Sequence, residues 1–408
     1  MHAFSISDDV YCVHADIRTS DLFEGIWSIK DGVSLNSYVV KGEKIALVDL
    51  IKDWSEAPKQ VAEALTSIGI DFTSIDYLIL NHIEPDHTGW LREFRALNPR
   101  CEILSTDKGC KLIKSFYKIE AGVRVIKDGD TLDLGNGQTL AFIETPNVHW
   151  PETMFTWHEA SGALFSCDAF GSFGALGERV FDDAFTDEEL AFFERETLRY
   201  YVNIVSSFSL FVEKAIQKAR HLAIKCVAPS HGIVWRKNPQ KIIDLYATYA
   251  SYAKGPAEKE IAIVWSSMYG NTKTGLDAVI RGIEAEGVPY AIHRVPDADS
   301  SYVLADAWRS SALVIAMPTY EYAMFPPMAH IIDLFKRKHL LGKTVLRIGS
   351  FGWIGGAKKE YETAIEPLKW KNLKSYEWAG FPSQEDLVVL KECGKELARL
   401  ARGNACEA

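Results

Sequence analysis

Four potential metal ligands fall within six positions of the stretch Asn81-His82-Ile83-Glu84-Pro85-Asp86-His87-Thr88-Gly89, directly after the apolar run Tyr77-Leu78-Ile79-Leu80. Imidazoles and carboxylates crowded in this way suggest a metal centre. His82, Glu84 and Asp86 alternate while His87 follows Asp86 at once, so a loop leaving a strand can send some ligands to one metal and the rest to a neighbour. Three more candidates each follow an apolar, β-like segment: His149 in Pro146-Asn147-Val148-His149-Trp150, Asp168 after Leu164-Phe165-Ser166-Cys167, and His231 in Pro229-Ser230-His231-Gly232. Any one of these alone reads as a surface or hydrogen-bonded core residue. Their coincidence with the cluster at 82–87 makes a dinuclear site the better reading. The other histidines (His2, His14, His158, His221, His293, His330 and His339) lack such neighbours.

A second constellation begins where Ile261-Ala262-Ile263-Val264-Trp265 runs into Ser266-Ser267-Met268-Tyr269-Gly270-Asn271-Thr272 and a helical pattern starts at once. Gly270 permits close backbone approach. Ser267, Tyr269, Asn271 and Thr272 offer polar groups at a helix N-terminus, where amides and the helix dipole favour a phosphate. Neither a Walker A motif nor G-x-G-x-x-G is present, which argues against ATP or a dinucleotide. Two later loops, Pro318-Thr319-Tyr320-Glu321-Tyr322 and Ser350-Phe351-Gly352-Trp353-Ile354-Gly355-Gly356, also leave strand-like runs. Aromatics sit in both, Tyr320 and Trp353 among them.

The elements that must hold these loops divide the chain in two. The polar stretch Ala253-Lys254-Gly255-Pro256-Ala257-Glu258-Lys259 marks the boundary, giving domains over 1–253 and 260–408 with a linker at 254–259. Before it, Ser37–Val40 and Ala46–Asp49 read as strands joined by a hairpin at Lys41–Lys44. Further hairpins are expected around Asp128-Gly129-Asp130 and Gly135-Asn136-Gly137, with helices over Asp187–Val205 and Leu210–Leu222. A layered α/β domain follows, with its polar ligands on loops at one sheet edge. After the boundary, strands near Ile261–Trp265, Tyr290–Val295, Leu313–Met317, Val345–Ile348 and Ser375–Ala379 alternate with helices, the pattern of a doubly wound parallel sheet. Ser383 and Asp386 supply a start signal for a last helix reaching Leu400.

The 408 residues are enough for two cores, and 47% hydrophobic with 25% charged residues is the profile of a soluble globular protein. A formal charge of −10 disfavours nucleic acid and anionic membranes as partners. The start shows no basic-then-apolar leader and no run approaches membrane-spanning length, so a cytoplasmic location is expected. The seven cysteines (Cys12, Cys101, Cys110, Cys167, Cys226, Cys393, Cys406) form no C-x-x-C pair, and most are expected to be reduced, buried thiols.

The metal constellation resembles that of the metallo-β-lactamase superfamily, whose loop reads His-x-His-x-Asp-His followed by a His, an Asp and a final His. Here Glu84 stands at the second His position, and within that superfamily His-x-Glu-x-Asp-His is similar to flavodiiron proteins, which reduce dioxygen or nitric oxide. The resemblance implies an N-terminal αββα sandwich. It also implies one iron on His82, Glu84 and His149, a second on Asp86, His87 and His231, and Asp168 bridging them. A carboxylate is a hard donor that stabilises oxidised iron, whereas imidazole-rich sites suit zinc. Glu84, Asp86 and Asp168 supply three negative charges against four positive ones on two ferrous ions, which a bridging hydroxide balances.

The second half resembles flavodoxin, with a five-stranded parallel sheet and FMN held by the residues of its three loops: Ser267 to Thr272, Pro318 to Tyr322, and Ser350 to Gly355. Together the two resemblances cover essentially the whole chain. They imply an oxidoreductase, active in oxidative or nitrosative stress defence, that draws electrons from an external donor such as rubredoxin or a reduced deazaflavin. Two ferrous ions and reduced FMN hold the four electrons that turn dioxygen into two waters; coupling two nitric oxide molecules needs two. A head-to-tail homodimer or dimer of dimers is implied as well. The competing readings are a zinc hydrolase fused to a flavodoxin and an electron carrier with a structural metal domain. Glu84 argues against the first and the intact ligand set against the second.

Overall fold

The computed structural model describes residues 2–255 and 257–403. The chain divides into two compact units between Ala250 and Ser251. The expected boundary lay a few residues later. The helix Pro239–Ser251 tightens into a 3-10 turn at Tyr252–Lys254, and the next strand, Glu258–Trp265, already starts inside the stretch read as linker.

The first unit is built on two sheets. One has seven strands in the spatial order Phe4–Ser7, Val10–Ile17, Val33–Lys41, Ile45–Val48, Tyr77–Ile79, Glu102–Ser105 and Val123–Val125. The other has five: Thr131–Asp133, Thr139–Glu144, Met154–His158, Ala163–Cys167 and Cys226–Pro229. They meet face to face, with the Tyr38 and Phe165 rings 5.0 Å apart and the Asn36 amide donating to Pro229 and Gly232 carbonyls at 2.9 Å. Burial on both faces explains why Ala163–Cys167 reads as a nearly continuous apolar run, whereas Val33–Lys41, buried along almost its whole length, carries Ser34, Asn36 and Ser37 among its apolar residues. The hairpin at Lys41–Lys44 and that at Gly135–Gly137 are present. The one expected at Asp128–Asp130 is not: its flanking strands belong to different sheets, and the turn carries the chain from one layer to the other. Turn residues mark a reversal but not the sheet that the chain re-enters.

In the second unit five parallel strands stand in the order Tyr290–Arg294, Glu258–Trp265, Ser310–Ala316, Thr344–Phe351, Lys371–Ala379. Numbered along the chain this is 2-1-3-4-5, whose switch point lies beside the first strand. Ser383 caps the helix Gln384–Ala401 in a reciprocal box with Asp386, as read from the sequence. That helix crosses Asn271–Ala285 over the sheet, burying Val279, Ile283, Leu390 and Leu397 completely, about 1.5–3 kcal/mol each. Gly282 and Gly394 make the crossing close: a Cβ on Gly282 would lie 2.1 Å from the Lys391 carbonyl oxygen. Gly282→Ala is therefore expected to destabilise this unit by about 1–3 kcal/mol through forced separation of the helices. A denaturant midpoint matching the parent would contradict that packing.

Among the described cysteines Cys12, Cys101, Cys167, Cys226 and Cys393 are free and buried, and Cys110 is free and half-buried; Cys406 lies outside the described residues.

Candidate metal centre and flavin site

Every residue of the first constellation sits where a strand of the first unit ends. His82 follows Tyr77–Ile79, and Glu84 opens the short helix Pro85–Thr88 that carries Asp86 and His87. Pro85 at the first helical position starts that turn, and Glu84 makes no cap bond to it, so its carboxylate is free to face inward. The Thr88 hydroxyl pins the turn by donating to the Ile83 and Glu84 carbonyls. His149 stands in the loop between Thr139–Glu144 and Met154–His158, Asp168 directly after Ala163–Cys167, and His231 just beyond Cys226–Pro229.

These seven residues come together as two sets that share Asp168. Glu84 Oε2 lies 3.2 Å from His82 Nε2 and 3.0 Å from His149 Nε2, and Asp168 Oδ2 lies 3.3 and 3.4 Å from the same two nitrogens. On the other side Asp86 approaches His87 Nε2 at 3.6 Å and His231 Nε2 at 3.2 Å, while Asp168 Oδ1 stands 3.1 and 3.3 Å from them. Several of these approaches are close yet misaligned for hydrogen bonds: both Asp86 oxygens, Asp168 Oδ2 and His231 Nε2 are buried without a hydrogen-bond partner. Donor atoms that are near but not aimed at one another converge on a common point, as ligands around a cation do. His82, Glu84, His149 and Asp168 form one group able to hold an ion, and Asp86, His87 and His231 another. The residues therefore fit a pair of metal ions.

The electrostatics agree. Burial opposes charge on each imidazole, but the carboxylates of Glu152, Glu84 and Asp168 lift His82 to about 10. Against the same burial, Asp168 and Asp86 lift His231 to about 10. His87 rises to about 9 under Asp86 and Asp168, and His149 to about 9 under Asp168 and Glu84. Such negative potential in a buried pocket calls for cations, whether protons or metals.

Several functional residues escaped the sequence reading. Glu152 is fully buried, accepts from His82 Nδ1 at 2.7 Å and from the Ile83 amide at 3.1 Å, and so fixes the tautomer that turns Nε2 to the centre. The Ser34 carbonyl does the same for His231 Nδ1 at 2.8 Å. Asp49 and Cys167 stand behind His87. Tyr200 donates to Asp168 Oδ1 at 3.0 Å; burial and the neighbouring Asp168 keep its phenol protonated. Helix Asp187–Tyr200, which ends on this residue, passes directly into a π-turn at Tyr201–Val205. A cavity of about 220 Å³ borders the centre, lined by Phe23, Lys52 and Trp54 together with Glu84 and Asp86. Glu152 alone had a usable signal, an acid three residues after His149. We expect Glu152→Gln to weaken metal retention about 10- to 100-fold while leaving the fold intact; unchanged iron content after dialysis against a chelator would remove Glu152 from this role.

The second constellation surrounds a cavity of about 360 Å³ in the second unit. Ser267, Met268, Tyr269 and Asn271 line it from the first loop, Pro318, Thr319, Tyr320 and Glu321 from the second, and Ser350, Phe351, Gly352 and Trp353 from the third. Gly270, Thr272, Tyr322, Ile354 and Gly355 do not line it. Thr272 instead ties the first loop to the third through a 2.8 Å hydroxyl contact with Ser350. Gly270 has φ +95°, and no side chain caps the helix Asn271–Ala285, so its first amides remain available to an anion. Tyr269 and Trp353 are 91% and 81% exposed. Aromatic surface of that extent beside an uncapped helix end fits a flat ring system carrying a phosphate.

A metallo-β-lactamase-like metal domain followed by a flavodoxin-like domain is the class that this fold and these two sites define. Residues 33–232 match the ODP family beta lactamase. The anaerobic nitric oxide reductase flavorubredoxin of Escherichia coli O1:K1 is 33% identical over 388 residues, 91% of this chain and 79% of that protein. The rubredoxin oxygen:oxidoreductase of Desulfovibrio gigas superposes with a TM-score of 0.92 at 26% identity over 99% of each chain. The flavodiiron protein of Giardia intestinalis gives 0.91 at 25% identity over 99% of this chain and 98% of that one. The chain belongs to the flavodiiron protein family. It is an oxidoreductase, and FMN and a diiron centre are the cofactors of its family. No helix among the described residues is long and apolar enough to cross a membrane.

Proposed function

We propose that this chain passes electrons from an external donor, through FMN, to two irons that reduce dioxygen to water, nitric oxide to nitrous oxide, or both. The observation that carries the reading is the split of Asp168, whose two oxygens each face their own pair of imidazoles and an acid. On this reading His82, Glu84 and His149 hold one iron, Asp86, His87 and His231 the other, and Asp168 both. When bound, the iron pair would supply reducing electrons to a diatomic gas. The protein's part is to keep His82 and His231 in the correct tautomer through Glu152 and the Ser34 carbonyl, and to hold the Tyr200 proton against Asp168 Oδ1. Phe23 and Trp54 restrict the entrance to small molecules.

FMN is assigned to the cavity framed by Ser267–Thr272, Pro318–Tyr322 and Ser350–Gly355, with its phosphate at the N-terminus of helix Asn271–Ala285. The relatives' names divide between the two gases and include rubredoxin as a partner, which supports a small redox protein as donor; a reduced deazaflavin is the other donor class. Metal and flavin analysis is the first test: about two iron and one FMN per chain is expected, while two zinc with esterase activity would replace this reading by the hydrolase. Anaerobic single turnovers with dioxygen and nitric oxide, each with rubredoxin and deazaflavin donors, then assign substrate and partner. The assembly proposed is a head-to-tail homodimer or dimer of dimers, and full donor-linked turnover by a monomer would overturn it.

A further inference from the structure

The second flavin loop contains a conformational anomaly. The short strands Thr319–Tyr320 and Ala323–Met324 pair as a hairpin, and the two residues between them, Glu321 and Tyr322, have φ of +46° and +64°. Two consecutive left-handed residues are the signature of a type I′ turn, where Asn-Gly is at ease and residues with long side chains are strained. Such strain persists only where surrounding structure enforces it. Here the third loop and its helix do so. A Cβ on Gly356 would fall 2.0 Å from the Tyr322 carbonyl oxygen, and the Met324 amide donates to the Glu360 carboxylate at the start of helix Ala357–Ile365.

This braced turn sets Glu321, an exposed residue, at the lining of the cavity. Of the residues lining the 360 Å³ cavity, Glu321 is the one with a formal charge. It enters no ion pair among the described residues, and the buried Arg347 on the strand leading to the third loop is already matched to Glu377 at 2.6 Å. An uncompensated negative charge in a wall that is otherwise neutral acts on whatever charge its ligand acquires.

We infer that Glu321 sets the reduction potential of the bound flavin. This rests on the assignment of FMN to the cavity. An oxidised isoalloxazine that takes two electrons and one proton becomes an anion, and with two electrons and two protons it stays neutral. The electrons come from the external donor and the protons from water. The Glu321 carboxylate opposes the anion, so it lowers the potential and makes the flavin a stronger reductant toward its acceptor. The strained turn is retained because it fixes that exposed charge at the edge of the cavity.

The test is a reductive titration of the FMN-loaded full chain with dithionite, using safranin T as the reference dye. In Glu321→Gln the ratio of reduced to oxidised flavin at a fixed potential should rise about tenfold, equivalent to about 30 mV for a two-electron couple, with FMN still at one per chain. Glu321→Lys should shift it further in the same direction, and Glu321→Asp, which keeps the charge, by less than about twofold. An unchanged potential in Glu321→Gln at full FMN content overturns the inference while leaving the flavin assignment standing. A shift in Glu321→Asp as large as that in Glu321→Gln also overturns it, since geometry and not charge would then be responsible. Failure of the unmodified chain to bind FMN overturns the assignment itself and the inference with it.

Discussion

Asp168→Asn should leave a protein that folds and binds FMN but retains neither iron. The substitution is nearly isosteric, and the Tyr200 hydroxyl can still donate to the amide oxygen, so packing around the strand end Ala163–Cys167 is preserved. What disappears is the one anionic group within 3.1–3.4 Å of all four ligand imidazoles. Each set then keeps one carboxylate, Glu84 or Asp86, and two histidines, and two divalent ions lose one of the three carboxylates that compensate their charge. Outer-shell partners of metal ligands already cost about 10- to 100-fold in affinity when removed, and a ligand shared by both ions should cost more than that at each. Iron analysis after gel filtration in chelator, with flavin absorbance as the internal standard, measures this directly. Retention of two irons per chain would show that Asp168 is not the bridge.

Glu84→His tests the feature that separates this loop from its zinc-binding relatives. Glu84 Oε2 stands between His82 and His149, and burial, which would raise its pKa, is outweighed by those imidazoles, so the carboxyl is held ionised. A histidine there makes an all-imidazole trio and removes one of three anionic ligands, conditions that favour zinc over oxidised iron. Loaded from an equimolar mixture of the two metals, the variant should shift its iron-to-zinc ratio toward zinc by about tenfold or more, in keeping with the size of ligand-sphere effects, and gas reduction should fall in step while FMN content stays constant. Normal turnover by an iron-loaded variant would refute the argument from carboxylate hardness.

The candidate ligands stood out in the sequence because strand ends do. An apolar run buried in a sheet stops abruptly where polar residues begin, so Tyr77–Ile79, Ala163–Cys167 and Cys226–Pro229 announce the loops that follow them. The parallel sheet of the second unit was readable for the same reason, as was the Ser383 cap. Less visible were features decided by contacts distant in sequence. Glu152 gains its meaning only when it is folded against His82, and Phe23 only when its hairpin is placed beside His231, 5.5 Å from that ring. The turn at Asp128–Asp130 shows the same limit, since composition gives a reversal and not its destination. Tyr200 and the π-turn after it were hidden in a helical pattern that runs on through Val205 without a break.

The placement of the seven ligands also bears on how the protein matures. They hang from the ends of strands in two different sheets, and His231 joins His87 only once a long stretch of intervening chain has been laid down and closed. Contacts so far apart in sequence form late, because their loop entropy must be overcome before they return anything. During synthesis the 82–87 loop emerges well before its partners and can offer only an incomplete, exposed set of donors to passing ions. On the diiron reading both metal sets are complete only after the two layers have closed, which makes iron content a readout of completed folding as much as of metal supply.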